Sequence, residues 1–114
     1  MIVDGVINEK WALRMPDFRA EFHERIPYWE EGRLSHMAER IELGMTVYDV
    51  GAELGDFTAL YRLWVGDIGK VVPVEPKREM WPSIAATWSA NFRGPPPLSF
   101  VGRSLRSKIG RAHV

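Results

Sequence analysis

The sequence predicts an α/β fold with a short parallel sheet, on three observations. Thr46-Val-Tyr-Asp-Val50 and Val71-Val-Pro-Val74 are short runs rich in branched residues, the composition of buried strands. Each is followed by apolar residues at helical spacing, and a strand–helix–strand alternation implies a parallel sheet with crossover connections. The first run passes at once into Gly51-Ala-Glu-Leu-Gly55, a glycine-bearing turn at a strand's carboxyl end.

Taken in order, the elements begin with a helical region. Phe18, Phe22 and Ile26 recur every four residues after Pro16-Asp17, where Asp17 can cap a helix and Pro27 stops it. A second helix is expected from about Glu30 to Glu42, with Leu34, Met37, Ala38 and Ile41 on one face and Gly44 ending it. Trp11, Tyr28 and Trp29 are expected to pack this region onto the strand and helix units beyond residue 44, with a lid over a substrate as the alternative role. After the first strand, Phe57, Leu60, Tyr61 and Trp64 fall at i, i+3, i+4 and i+7, the stripe of a helix that ends near Gly66. Beyond the second strand comes Glu75-Pro76, then a helix with Pro82 in its first turn and Ile84, Ala85 and Trp88 inward, running to Asn91. Pro95-Pro96-Pro97 makes a stiff loop, and residues 98–101 read as a third short strand.

Composition excludes several classes of function. The chain has 114 residues, enough for one small domain or a piece of a larger one, but not for a two-domain enzyme. It has no cysteine, which removes disulfide scaffolds, cysteine-based zinc sites, iron–sulfur sites and thiol catalysis. No metal site is expected. No apolar run approaches the roughly 20 residues of a membrane span, and Met1-Ile-Val-Asp4 lacks a signal-peptide pattern, so a reducing, cytoplasmic setting is the expectation. The net charge of zero conceals a split: residues 1–57 hold six basic and twelve acidic groups, and residues 58–114 hold nine and three. Folding is expected to bring these halves together. The basic residues are too scattered to predict a nucleic-acid partner.

The turn after the first strand carries the chemistry. A strand ending in an acid, then glycines, then a helix N-terminus, places backbone amides and a positive dipole end at the sheet's carboxyl edge. Glu75 lies at the end of the next strand, where a carboxylate can accept hydrogen bonds from both hydroxyls of a ribose. An adenosine-containing ligand across the two strands follows from this placement. The dinucleotide fingerprint fails, because Glu53 stands where its second glycine should admit a pyrophosphate, and no Gly-Lys-Ser/Thr phosphate loop occurs. S-adenosylmethionine has no phosphate and carries a sulfonium and an ammonium group, which Asp49 and Glu53 suit by charge.

At these residues the chain resembles the FkbM-type S-adenosylmethionine-dependent methyltransferases, with D-V-G-A-N-x-G-x-x-T, a strand-end E-P and a helix ending in asparagines. Asp49, Gly51, Ala52, Gly55, Thr58, Glu75 and Pro76 match. Glu53 replaces the usual asparagine, and of the helix-end asparagines only Asn91 is present, with Thr87 at the earlier place. The resemblance covers about residues 44–101. It implies a Rossmann-like class I methyltransferase fold, with residues 1–43 as an N-terminal helical extension and 44–107 as the first half of the cofactor-binding domain. It also implies that residues 51–55 wrap the methionine portion of the cofactor, that Glu75 holds the ribose, and that Asp49 anchors the loop or binds the amino group. The methyl acceptor is expected to be a hydroxyl on a small molecule or glycan.

The resembled fold has seven strands, and its acceptor pocket comes from the later ones, so the catalytic base is not assigned. His23 and His36 fall on the N-terminal helices and His113 in the tail; a surface position is expected for His36. A sheet cut after its third strand would leave the first strand as an open edge and favour self-association. Ile109-Gly-Arg-Ala-His-Val114 matches the translation of a common sequencing adapter, so residues 108–114 are expected to be non-native and the gene to continue past about Ser107. Two other readings remain: a non-catalytic adenosine- or nucleotide-binding module using the same loop and Glu75, and an interaction domain displaying Trp11, Trp29 and Trp81.

Overall fold

A computed structural model describes residues 1–94 of the chain. The third expected strand, the proline loop and the tail with His113 lie outside the described residues. Within them the chain forms a small α/β structure of two two-stranded sheets and four α-helices.

The first sheet was not expected. Strand β1 (Ile2–Ile7) pairs antiparallel with β2 (Trp11–Pro16), so the helical extension inferred for residues 1–43 begins instead as a β-hairpin. Its turn places both Asn8 and Glu9 at positive φ, with the Lys10 N–H bonded to the Ile7 carbonyl at 3.0 Å, the pattern of a type I′ turn. Leu13 and Met15 point into the core while Ala12 and Arg14 face out, a period of two. Gly5 lies opposite Leu13, and a Cβ at Gly5 would come within 3.0 Å of the Met15 side chain.

Helix α1 (Asp17–Arg25) packs on β1, and α2 (Glu31–Arg40) follows after a turn through Glu30. The apolar spacing expected to be the inner stripe of α1 is not the face that is buried. Phe18 and Ile26 are exposed, whereas His23 is 1 % exposed and Arg19 and Phe22 lie half-buried beside it. Tyr28, expected to pack, is 68 % exposed; Trp29 and Trp11 do pack.

The second sheet coincides with the expected strands. Strand β3 (Thr46–Val50) pairs parallel with β4 (Lys70–Val74), joined through α3 (Asp56–Val65). Helix α3 is the hub of the structure. Ala59 and Leu60 join Ile7, Leu13, Met15 and Leu34 in one core cluster, while Tyr61 and Val65 join Val71 and Trp88 in a second. The cores therefore combine residues from both sides of residue 43. After a 3₁₀ turn (Arg78–Met80), α4 (Trp81–Asn91) packs on α3 and β2, with Ile84, Thr87 and Trp88 buried.

Asn91 closes this layer onto the hairpin. Its side-chain carbonyl accepts from the Arg14 N–H at 2.8 Å, and its side-chain amide donates to the Arg14 carbonyl at 2.7 Å and to the Thr87 carbonyl at 2.7 Å. The two strands of the parallel sheet differ in cover: residues 71–74 of β4 are all buried, but Tyr48 and Val50 of β3 are 60 % and 73 % exposed.

Candidate functional site: the cleft over the Gly51–Gly55 loop

The loop between β3 and α3 is built on backbone positions that few residues favour. Gly51, Glu53 and Gly55 all have positive φ, of 79°, 50° and 90°. At Gly55 the requirement is double: a Cβ there would lie 2.9 Å from the Ile84 Cα, so glycine lets the loop rest on α4. At Gly51 a Cβ would meet nothing within 4 Å, so the same backbone faces open space. Glu53 is a non-glycine residue in the left-handed region, where asparagine is tolerated better.

The loop is fastened to the sheet end from below. The N–H groups of Gly51 and Ala52 donate to the Val74 carbonyl at 2.8 and 3.3 Å. Glu75, 3 % exposed, accepts from the Glu53 N–H through Oε1 at 2.8 Å and from the Lys77 N–H through Oε2 at 2.9 Å, and its carbonyl accepts from the Trp81 indole at 2.7 Å. One lone pair on each carboxylate oxygen is thereby used and the others remain. Asp49 is also buried, and the Thr58 hydroxyl donates to its Oδ2. Burial raises the Asp49 carboxyl above its ordinary value, with the Thr58 hydrogen bond and the Arg33 charge offsetting this only in part.

The structure thus brings Asp49, Gly51, Ala52, Glu53, Gly55, Thr58 and Glu75 to one place, the carboxyl end of β3 and β4. Pro76 follows Glu75 and is exposed. These residues fall in two tiers: residues 50–54 line an open cleft of about 400 Å³, while Asp49, Thr58 and Glu75 lie beneath the loop. The far wall of the cleft comes from α1, α2 and the turn between them, through Arg19, Phe22, Trp29 and Arg33, with Asp56 and Phe57 of α3 at its base. A volume of this size is in the range of small-molecule sites.

Of that far wall only Trp29 is a candidate from the sequence, as a lid; Arg19, Arg33 and the anchor beneath them are not. Asp56, the first residue of α3, is 3 % exposed and accepts hydrogen bonds through Oδ2 from His23 Nε2 at 2.8 Å and from Arg19 Nε at 2.9 Å, with Arg19 Nη2 also bonded. Burial alone would raise its carboxyl, but the His23 and Arg19 hydrogen bonds and the Arg19 charge outweigh it and hold Asp56 below the ordinary carboxylate value. Among the described residues, His23 Nδ1 and Asp56 Oδ1 meet no hydrogen-bond partner. Arg19 also lies over the rings of Phe22 and Trp29, with the guanidinium 4.2 and 5.9 Å from their centroids. A signal was available: Arg19 and His23 are four residues apart, on one face of a helix. His36 is exposed.

No group of three or more histidines or acids among the described residues is placed to hold a metal ion, and no helix among them is long and apolar enough to cross a membrane. Comparison with protein-family models, with curated proteins and with solved structures returns no match to this chain.

Proposed function

We propose that this chain carries the S-adenosylmethionine-binding motifs of an FkbM-like methyltransferase, on the first part of a Rossmann-like class I domain, with a hydroxyl oxygen as the acceptor. The observation that carries the reading is the meeting of the two motifs: the left-handed loop after β3 rests through the Glu53 N–H on the carboxylate that ends β4. The reading rests on these residues and their resemblance to the family motif.

The residues suit such a cofactor by shape and chemistry. Gly51 presents bare backbone to the cleft, so a ligand can approach the main chain there. The lone pairs left on Glu75 suit ribose hydroxyls, and reaching them requires the loop above to shift. Asp49 holds the first turn of α3 through Thr58 and sets a negative charge beneath the loop, toward a cationic ligand. Glu53 at positive φ gives a physical reason for the asparagine that the family motif has at that place. When bound, the cofactor supplies a methyl group already activated on a sulfonium. What the protein must add is orientation and exclusion of water, and the aromatic residues Phe22, Trp29 and Phe57 give the cleft an apolar wall for both.

One observation favours a second reading, an adenosine- or nucleotide-binding module without catalysis: two guanidiniums, Arg19 and Arg33, line the same cleft and suit a phosphate. Calorimetry with S-adenosylhomocysteine and with adenosine monophosphate separates the two. Binding of the first, lost in Glu75→Ala, followed by radiolabelled methyl transfer from S-adenosylmethionine, supports the methyltransferase. Preference for the nucleotide supports the alternative, and binding of neither ligand removes both.

A further inference from the structure

The two guanidiniums of the cleft are not equivalent. Arg19 is neutralised in place by Asp56, through Nε and Nη2 on one carboxylate oxygen, and its side chain is only 13 % exposed. Arg33 is about half exposed, and its carboxylate neighbour Glu30 stands 3.9 Å from Nη1, beyond hydrogen-bond distance and itself half exposed. Arg33 is nonetheless held in position, because its guanidinium lies over the Phe57 ring at 4.3 Å from the centroid. The guanidinium also donates a hydrogen bond to the Tyr61 hydroxyl, and its charge reaches Asp49 beneath the loop, while the side chain stays about half exposed. The rings beside it are Phe57 and Trp29, whose centroids are 4.8 Å apart.

We infer that Arg33 is the anchor of an anion subsite in this cleft, and that the molecule entering it bears a carboxylate or phosphate on a planar, ring-bearing body that packs against Trp29 and Phe57. A guanidinium stacked on an aromatic ring keeps its N–H groups in the open plane at the ring's edge; with one of them on the Tyr61 hydroxyl, the remaining pair forms the fork that fits a carboxylate or phosphate in two parallel bonds. The stack fixes the fork in advance, so little side-chain freedom is lost on binding. The cleft is open enough to admit such a body, at about 400 Å³. Glu53 and Glu30 flank the site and oppose an anion by charge, so the binding must come from the two-point fork and the ring contact.

As a contribution from α2 to the acceptor site, beside what the later strands of the resembled fold supply, this deepens the methyltransferase reading and rests on it, because the same cleft faces the loop assigned to the cofactor. The test uses the whole chain and calorimetry with phenyl phosphate, benzoate and benzyl alcohol, which share a ring and differ in charge. Saturable binding of phenyl phosphate or benzoate, weakened about tenfold or more in Arg33→Gln and weakened by salt, is the expected result, with benzyl alcohol insensitive to the substitution. Whichever anion binds tighter identifies the source of the charge. Arg33→Lys keeps the charge without the planar fork and should recover only part of the loss. Arg33 is exposed, so Arg33→Gln should unfold at the wild-type urea concentration, which separates lost binding from lost fold. Equal binding of the anions by wild type and Arg33→Gln, or no saturable binding of either anion, overturns the inference. S-adenosylhomocysteine serves as the control: anion binding without it leaves the subsite standing and removes the cofactor reading, while the reverse removes the subsite alone.

Discussion

Two buried aspartates stand at the two ends of the loop between β3 and α3, seven residues apart, and they are treated oppositely. Asp56 is surrounded by partners that stabilise its charge, a guanidinium and an imidazole from α1, and its carboxyl is held below the ordinary value. Asp49 has one hydroxyl, and burial holds its carboxyl above that value. A charge compensated within the fold joins elements; a charge left under-compensated at a sheet end stores free energy that a cationic ligand can release. The Asp56 charge therefore joins α1 to α3, whereas the Asp49 charge is left with less compensation beneath the loop.

The largest effect that tests this contrast is at Asp56. Replacement by alanine leaves the buried His23 and the largely buried Arg19 without their common partner, and should cost about 3–5 kcal/mol in urea unfolding. The sign with pH follows: the folded carboxyl lies below its unfolded value near 3.8, so its stabilisation is present above that pH and is lost as pH falls through the folded value. Acid unfolding of the wild type should be steeper than that of Asp56→Ala; equal slopes would mean the cluster is not ionised as drawn.

The two loop glycines give the next effect. Gly55→Ala combines positive φ with a clash against the Ile84 backbone and should cost about 2–3 kcal/mol. Gly51→Ala carries the positive φ alone and should cost about 1 kcal/mol, yet it should weaken S-adenosylhomocysteine binding, because its Cβ enters the cleft. Thermal melts and calorimetry on the pair would break the distinction if stability and binding fell together in both.

Glu75 lies between the extremes, since its partners are backbone N–H groups. Glu75→Gln keeps one acceptor and turns an amide toward the other N–H, a loss of about 1–2 kcal/mol by urea unfolding.

The smallest stability change, and of opposite sign, is expected at Asp49. A carboxyl raised by burial favours the folded state fully below about pH 3.8, and that contribution is lost as pH rises through its folded value. Asp49→Asn removes the penalty above that range while an oxygen remains to accept from Thr58. The variant should therefore melt no lower than wild type at pH 7, and up to a few degrees higher, while binding S-adenosylhomocysteine more weakly. A large drop in melting temperature would show that the charge is needed by the fold itself.

Much of the parallel unit was legible because its signals are local. The branched residues of 46–50 and 71–74, the stripe of α3 and the turn glycines each announce themselves within a few positions. The hairpin was less legible: its turn is Asn8-Glu9 rather than Asn-Gly, and Gly5 weakens the first strand's pattern, although Leu13 and Met15 alternate cleanly with Ala12 and Arg14. Helix α1 misled because its buried face is polar. Arg19 and His23 are compensated by an acid 37 and 33 residues away, which no local pattern contains. The two charge halves do come together on folding, but through the core and the Asn91 side chain rather than through ion pairs: Arg14–Asp4, Arg19–Asp56 and Arg62–Asp67 each join residues within one half of the chain.

Asn91 gives the molecule an order of assembly. Its side chain takes the place of a neighbouring strand at Arg14, donating to and accepting from the backbone there, across 77 residues of sequence. During synthesis the hairpin leaves the ribosome long before α4 is made, so until then this stretch of the β2 edge is open to any other extended chain. One amide, arriving with α4, shields it. Nascent chains that end before Asn91 should therefore be the ones that chaperones retain, and release should begin once α4 has cleared the exit tunnel.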